Sequence, residues 1–167
     1  SKFTAGIQKT SMKRFFTRPR LDLVIEEVDD LMIKYQIRLA AKKYRVPLIM
    51  ATSLDSLLLI DYEAYNVDVE TKPFNGILTK NEMQSLNSKN IKKKAGGAIK
   101  IVGYENFSHR LRYSFSELGK KIFAFPQMAS GTYMRSAAIA HFIRTVLVHG
   151  KRIKSGRYQY DFNEFFQ

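Results

Sequence analysis

Residues 21–52 constrain the fold more than any other part of this chain, because they read in order as strand, acidic turn, helix and strand. Leu21, Leu23, Val24 and Ile25 form a nearly continuous apolar run rich in β-branched side chains. Such a run suits a strand covered on both faces. Val46, Leu48, Ile49, Met50 and Ala51 form a second run, with Pro47 near its start, where a missing N–H does least harm. Two buried strands separated by one helix imply a parallel pair joined by a crossover, which is an α/β arrangement. Asp29 and Asp30 fall where the first strand ends and the helix begins. In open α/β sheets that carboxyl edge is where ligands bind.

The helix between the strands, about residues 31–44, sets Ile33, Ile37, Ala40, Ala41 and Tyr44 on one face, with Lys34, Arg38, Lys42 and Lys43 mainly on the other. Residues 1–20 read as an irregular basic lead-in, and residues 21–66 as the core unit. A variable region follows over 67–127. It contains a turn at Lys72-Pro73-Phe74-Asn75-Gly76 and a capping-box spacing, Thr79 with Glu82, for a short helix to about Leu86. Residues 92–97 read as an exposed loop, residues 98–102 as an extended piece, and residues 106–118 as a helix ended by Gly119. Residues 129–148 form a long helix closed by Gly150, with Tyr133, Ala137, Ala140, Ile143 and Leu147 on its apolar face and small residues that permit close packing. Residues 157–162 alternate like a strand. The methionines and phenylalanines read as core.

A chain of 167 residues fits one domain and has no cysteine, which excludes disulfides, thiolate metal sites and cysteine nucleophiles. No run of 18 apolar residues is present, so no membrane-spanning helix is expected and a cytoplasmic protein fits. The first 20 residues carry six Lys or Arg and no acid, as transit peptides do, but they lack a clear amphipathic helix and contain a turn at Gly6. The opening Ser1 points to processing or to a preceding segment. The formal net charge of +13 favours anionic partners, nucleic acid included. Its one tight cluster runs from Lys89 through Lys92, Lys93 and Lys94; otherwise the charge reads as a lysine-rich solvated surface.

For Asp29 and Asp30 two uses compete. Either can cap the helix N-terminus, where negative charge is welcome. Either can hold a metal–phosphate group, and the pair can divide the two jobs. Glu26 and Glu27 make the turn more acidic than capping alone requires. His109, His141 and His149 show no ligand spacing and read as packing or surface residues. Ser130 reads as a helix start. No Gly-rich phosphate loop is present: Gly96-Gly97 is no GxGxxG, and Gly119-Lys120 lacks the upstream glycine of a P-loop.

The series Asp22, Glu26, Asp29, Asp30 and Lys34, followed by Val46-Pro47-Leu48-Ile49-Met50, resembles the second half of the ThiF/MoeB/HesA adenylating superfamily, the fold of ubiquitin-activating enzymes. Asp61, Glu63 and Tyr65 resemble its Asp-x-Glu-Arg-Tyr signature, and Pro73-Phe74-Asn75-Gly76 its next turn. Further matches are residues 125–130, 144–147 and 155–158, with residues 3–7 and Phe15-Phe16 as the lead-in. The resemblance implies that Asp29 helps position Mg-ATP while a carboxylate is adenylated, giving an acyl-adenylate and pyrophosphate. It places Asp30 where relatives often carry asparagine and Lys34 where they often carry arginine, to contact phosphate or pair with an acid. The departures are Ser53-Leu54-Asp55 in place of Asp-Asn-Gly, Ala64 in place of the signature arginine, and no counterpart of the Gly-rich loop, the ribose-binding acid or the Arg and Lys that grip ATP.

The expected fold is α/β, a Rossmann-like partial domain with a helical region and a C-terminal helix and strand. The expected function is a fragment or subunit of an ATP-dependent adenylating enzyme, inactive alone. It would contribute Asp29 as the catalytic and magnesium-binding residue, and Asp29, Asp30 and Lys34 toward ATP. Its expected partners are the N-terminal half or another subunit of the adenylation domain, a second copy as a homodimer, and a small-molecule or protein carboxylate substrate. A catalytically inactive interaction module and a basic nucleic-acid-binding domain are the rival readings.

Overall fold

The computed structural model describes residues 6–8, 11–85, 91–123 and 127–166. Its helices are α1 (Met12–Thr17), α2 (Leu31–Tyr44), α3 (Lys80–Ser85), α4 (Ile91–Val102), α5 (His109–Ser116) and α6 (Ala129–Ile143), and its strands β1 (Val24–Ile25), β2 (Leu48–Leu54), β3 (Leu57–Glu63) and β4 (Gly156–Asp161). The strands form one sheet in the order β1-β2-β3-β4. The fold is mixed α/β with flanking helices, consistent with a partial Rossmann-like unit. β1 and β2 are the expected parallel pair, with Val24 opposite Leu48, although β1 forms only two paired residues. β3 is an addition to the sequence reading. It returns antiparallel to β2 through a two-residue turn, Asp55-Ser56, with Leu54 opposite Leu57. Asp55 takes a left-handed φ of 53°, which aspartate tolerates better than most residues and which suits a tight hairpin. β4, the strand expected over 157–162, pairs antiparallel with β3, and the sheet is therefore mixed.

Strand alternation sorts the core into two layers. Ile49 and Ala51 of β2, with Leu58, Ile60 and Tyr62 of β3, face α6 through Ile139 and Phe142. Leu48 faces α1 and α2, while Met50 meets Phe74, Leu78 and Ile101. Leu54 and Leu59 meet Phe107 and Leu111 of the α5 region. This second face also carries two charged side chains of β3, and each is paired. Asp61 receives both arms of Arg157, at 2.9 and 2.8 Å, and Arg157 reaches on to the Ile101 carbonyl. Glu63 meets Arg38.

Four expectations are corrected. Residues 92–102 are neither loop nor strand but lie in α4. Gly96-Gly97 costs helix propensity, about 1 kcal/mol per glycine, and burial of Ile101 against Met50, Phe74 and Leu78 offsets that cost. Part of the basic lead-in is ordered as α1, whose Met12 and Phe16 enter the core beside Ile37 and Tyr44. On α2, Arg38 is wholly buried instead of facing solvent, because the turn at Pro73–Gly76 covers that side and Arg38 stacks 4.0 Å from the Phe74 ring. The expected face of α6 is displaced: Tyr133 is 77% exposed, Gly131 and Ile139 are buried, and of the expected set Ile143 packs against the core. An apolar helix has little periodicity to read, and contact with β2 and β3 decides its face.

Other elements keep their places with shifted ends. The 106–118 helix is α5, preceded by a tight turn at Tyr104–Asn106. The long helix ends in a π-helical turn over Arg144–Val148 before Gly150. Thr79 and Glu82 form the expected capping box, with the Thr79 N–H donating to Glu82 at 2.7 Å. Phe16, Phe74 and Phe107 are core as read, but Phe123 is 97% exposed. Residues 3–5, Lys89, Asn90, Phe125 and Pro126, invoked for the lead-in, the lysine cluster and the C-terminal match, lie outside the described residues.

Candidate functional site

The acidic turn between β1 and α2 uses its four carboxylates in four ways. Glu26 turns inward and is fully buried. One oxygen accepts from the Val28 N–H at 2.7 Å and from Lys34 Nζ at 2.9 Å; the other accepts from Arg38 Nη1 at 2.6 Å. Arg38 Nε donates to Glu63 at 2.8 Å, and Glu63 also accepts from the Tyr65 hydroxyl and the Phe74 N–H. Burial works against the charge on Arg38, but Glu63 and Glu26 more than offset it and hold its pKa above the ordinary value. The turn is thereby anchored from beneath by two carboxylates sharing one guanidinium.

Glu27 points the other way. Its Oε1 accepts the Ala51 N–H at 3.0 Å, satisfying a β2 donor just beyond the short β1. Its Oε2 lies 3.3 Å from Arg135 Nη1 on α6. Desolvation pushes the Glu27 carboxyl above the usual range, and the Ala51 N–H and Arg135 pull it part of the way back.

The adjacent aspartates divide their work. Asp30 is the N-cap of α2, accepting from the Met32 and Ile33 N–H groups at 2.8 and 2.9 Å. Asp29 is exposed and makes no hydrogen bond or ion pair with the described residues. It stands on the loop leaving the carboxyl end of β1. Lys34, for which phosphate contact or an acid partner was expected, has the acid partner, Glu26, and keeps 14% of its side chain exposed.

Asp29, Lys34 and Arg135 line one cleft of about 390 Å³ over the carboxyl ends of β1 and β2. Thr52, Ser53 and Asp55 of β2 and its turn form another wall, and α4 and α5 close the far side with apolar side chains. α5 is tied to this rim by Ser108, which caps the helix at the Leu111 N–H, 3.1 Å away, and donates to Asp55. α6 is drawn in by Gly131, where a β-carbon would lie 3.0 Å from Ser53 Oγ. Arg135 is one helical turn further on and therefore reaches the same rim.

The sequence reading found Asp29, Asp30 and Lys34 and missed Arg135 and Glu27. A signal for Arg135 existed: it is the one Lys or Arg of α6 and stands four residues after that helix's one glycine. The three histidines are all exposed, as a surface reading requires. Among the described residues no three His, Cys, Asp or Glu side chains gather as a metal cluster. Of the four carboxylates in this turn Asp29 is the one without a partner among the described residues, and one carboxylate with substrate phosphates is a usual environment for magnesium, so the residues present fit a phosphate-borne ion. No helix of the described residues is long and apolar enough to cross a membrane.

Comparison with known proteins adds one relationship. The chain is 32% identical, over 158 residues, to an uncharacterized protein of Mycobacterium tuberculosis, an alignment covering 95% of this chain and 21% of that protein. The chain thus spans about a fifth of the length of the curated relative it matches. No protein-family model matches it, and no solved structure does.

Proposed function

We propose that this chain supplies the magnesium–ATP aspartate of an ATP-dependent carboxylate-adenylating site of the ThiF/MoeB/HesA kind, as a fragment or subunit that is inactive by itself. The observation that carries the reading is the division between neighbours: Asp30 is consumed by the helix cap, while Asp29 stays free at the carboxyl edge of a parallel βα unit. A magnesium ion accompanying ATP supplies neutralisation of phosphate charge as a carboxylate oxygen bonds to the α-phosphorus and the α–β anhydride bond breaks, releasing pyrophosphate.

This chain's own residues have defined parts in that site. Asp29 holds the metal–phosphate group. Asp30 fixes the first turn of α2 and with it the direction of the Asp29 loop. Lys34 adds positive charge below the phosphates while anchored to Glu26 at 2.9 Å. The groups that grip base and ribose come from another segment or subunit.

ATP–pyrophosphate exchange by the full reading frame, with and without Asp29→Asn, tests the reading. Loss of at least about 100-fold is expected when a metal-positioning carboxylate is removed. Equal exchange by both proteins removes Asp29 from the site. Absence of exchange in either, across a panel of carboxylates, rules out a site completed within the reading frame and leaves a separate partner subunit or an inactive interaction module of the same fold.

A further inference from the structure

We infer that the cleft beside Asp29 receives a carboxylic acid with an apolar body, its carboxylate held by Arg135 and its body lodged between α4 and α5. The inference rests on the adenylation reading for its chemistry, but its argument starts from Arg135. That side chain keeps 25% exposure, and its contact among the described residues is Glu27, at 3.3 Å. Charge-assisted pairs close to about 2.7–2.9 Å when they are the main bond of both partners. Glu27 already has a shorter bond to the Ala51 N–H, at 3.0 Å. The guanidinium fork therefore has donors to spare, on the wall of the cleft, and a planar carboxylate is the group that fork matches.

The deeper lining is of the opposite character. Ile99 and Val102 of α4, Phe115 of α5 and Leu31 of α2 are half-buried and border the cleft, with Leu111 buried behind them. A recess with few convergent polar groups at one end is the usual form of a small-molecule site. The whole cleft, polar rim included, measures about 390 Å³, the volume of roughly a dozen liquid water molecules. An acid with a charged or strongly polar body would leave its own groups unpaired there. A glycine-ended peptide tail would leave the apolar recess unfilled.

Decanoate is the probe. Its binding to the protein is measured calorimetrically without ATP, against decanol, acetate and acetyl-glycyl-glycine. Saturable decanoate binding is expected, tighter than for all three comparison compounds. Arg135→Gln should weaken it by about tenfold or more, the loss typical of a hydrogen bond to a charged group. Arg135→Lys should recover part of that loss. Circular dichroism of each variant guards against misfolding, and Leu111→Trp, which fills the recess and leaves Arg135 in place, should abolish decanoate binding. Decanol binding as well as decanoate, indifference to Arg135→Gln, or tighter binding of the dipeptide acid would overturn the inference. The two readings fail separately. Decanoate binding with no exchange activity sinks only adenylation completed within the reading frame, whereas exchange driven by hydrophilic acids without decanoate binding sinks the apolar recess alone.

Discussion

Gly131 of α6 rests against Ser53 of β2 so closely that a β-carbon on the glycine would sit 3.0 Å from Ser53 Oγ and 3.2 Å from Ser53 Cβ. In an open helix, Gly→Ala gains about 1 kcal/mol. Here Gly131→Ala should lose that gain and cost about 1 kcal/mol net, because Ser53 Cβ belongs to a central strand and overpacking strains both elements. Adding Ser53→Gly removes the obstruction and should restore stability. Urea midpoints of the single and double variants measure this, and a stabilised Gly131→Ala protein would contradict it.

Arg38 is the common partner of Glu26 and Glu63, and all three side chains are fully buried. Arg38→Met leaves two carboxylates facing each other in the core, and breaking such a set costs about 3–5 kcal/mol. That is a large share of the roughly 5–15 kcal/mol holding a typical domain together. Arg38→Lys keeps the charge but cannot span both acids, so it too should be clearly destabilised. Denaturation midpoints near wild type for either variant would show that the network matters little.

The two aspartates should part company in stability measurements. Asp30→Ala removes the cap of α2 and should cost about 1 kcal/mol. Asp29→Ala should stay within about 0.5 kcal/mol of wild type, as expected of an exposed residue without protein partners. A larger loss at position 29 than at position 30 would reverse the division of roles.

Glu82 gives a pH dependence whose sign follows from its partners. Lys100 and the Thr79 N–H and hydroxyl hold its carboxyl down, from 4.5 to about 2. A lowered folded pKa means that the stabilisation is complete above the unfolded value and is lost as pH falls from there through the folded one. The link between α3 and α4, Glu82 to Lys100 at 2.7 Å, should therefore persist at pH 4 and be half released only near pH 2. The carboxyl carbon shift of Glu82 followed by NMR reads this directly, and a midpoint near 4.5 would refute it.

Much of the candidate site could be read before any coordinates. Asp29 and Asp30 at a strand-to-helix junction already carried both competing roles, because capping and anion-edge chemistry depend on residues within three or four positions. Their assignment to one role each could not be read, since which of Asp29 and Asp30 caps depends on how the chain enters the helix. Arg38 looked like a solvated lysine-side residue, because helical spacing cannot show that the turn at Phe74 will fold over it. Arg135 showed no role in the sequence, because its partner Glu27 lies 108 positions earlier.

Sequence by itself determined the order strand–turn–helix–strand, the parallel pairing of β1 with β2 and the capping box at Thr79 and Glu82, all of which rest on short-range periodicity and local hydrogen bonding. Only the tertiary structure decided that residues 91–102 coil into α4, that α6 presents Gly131 and Ile139 instead of Tyr133, and that Arg135 reaches the rim beside Asp29. Those outcomes depend on which distant surfaces are buried together, and the free energy of such burial is absent from any segment taken alone.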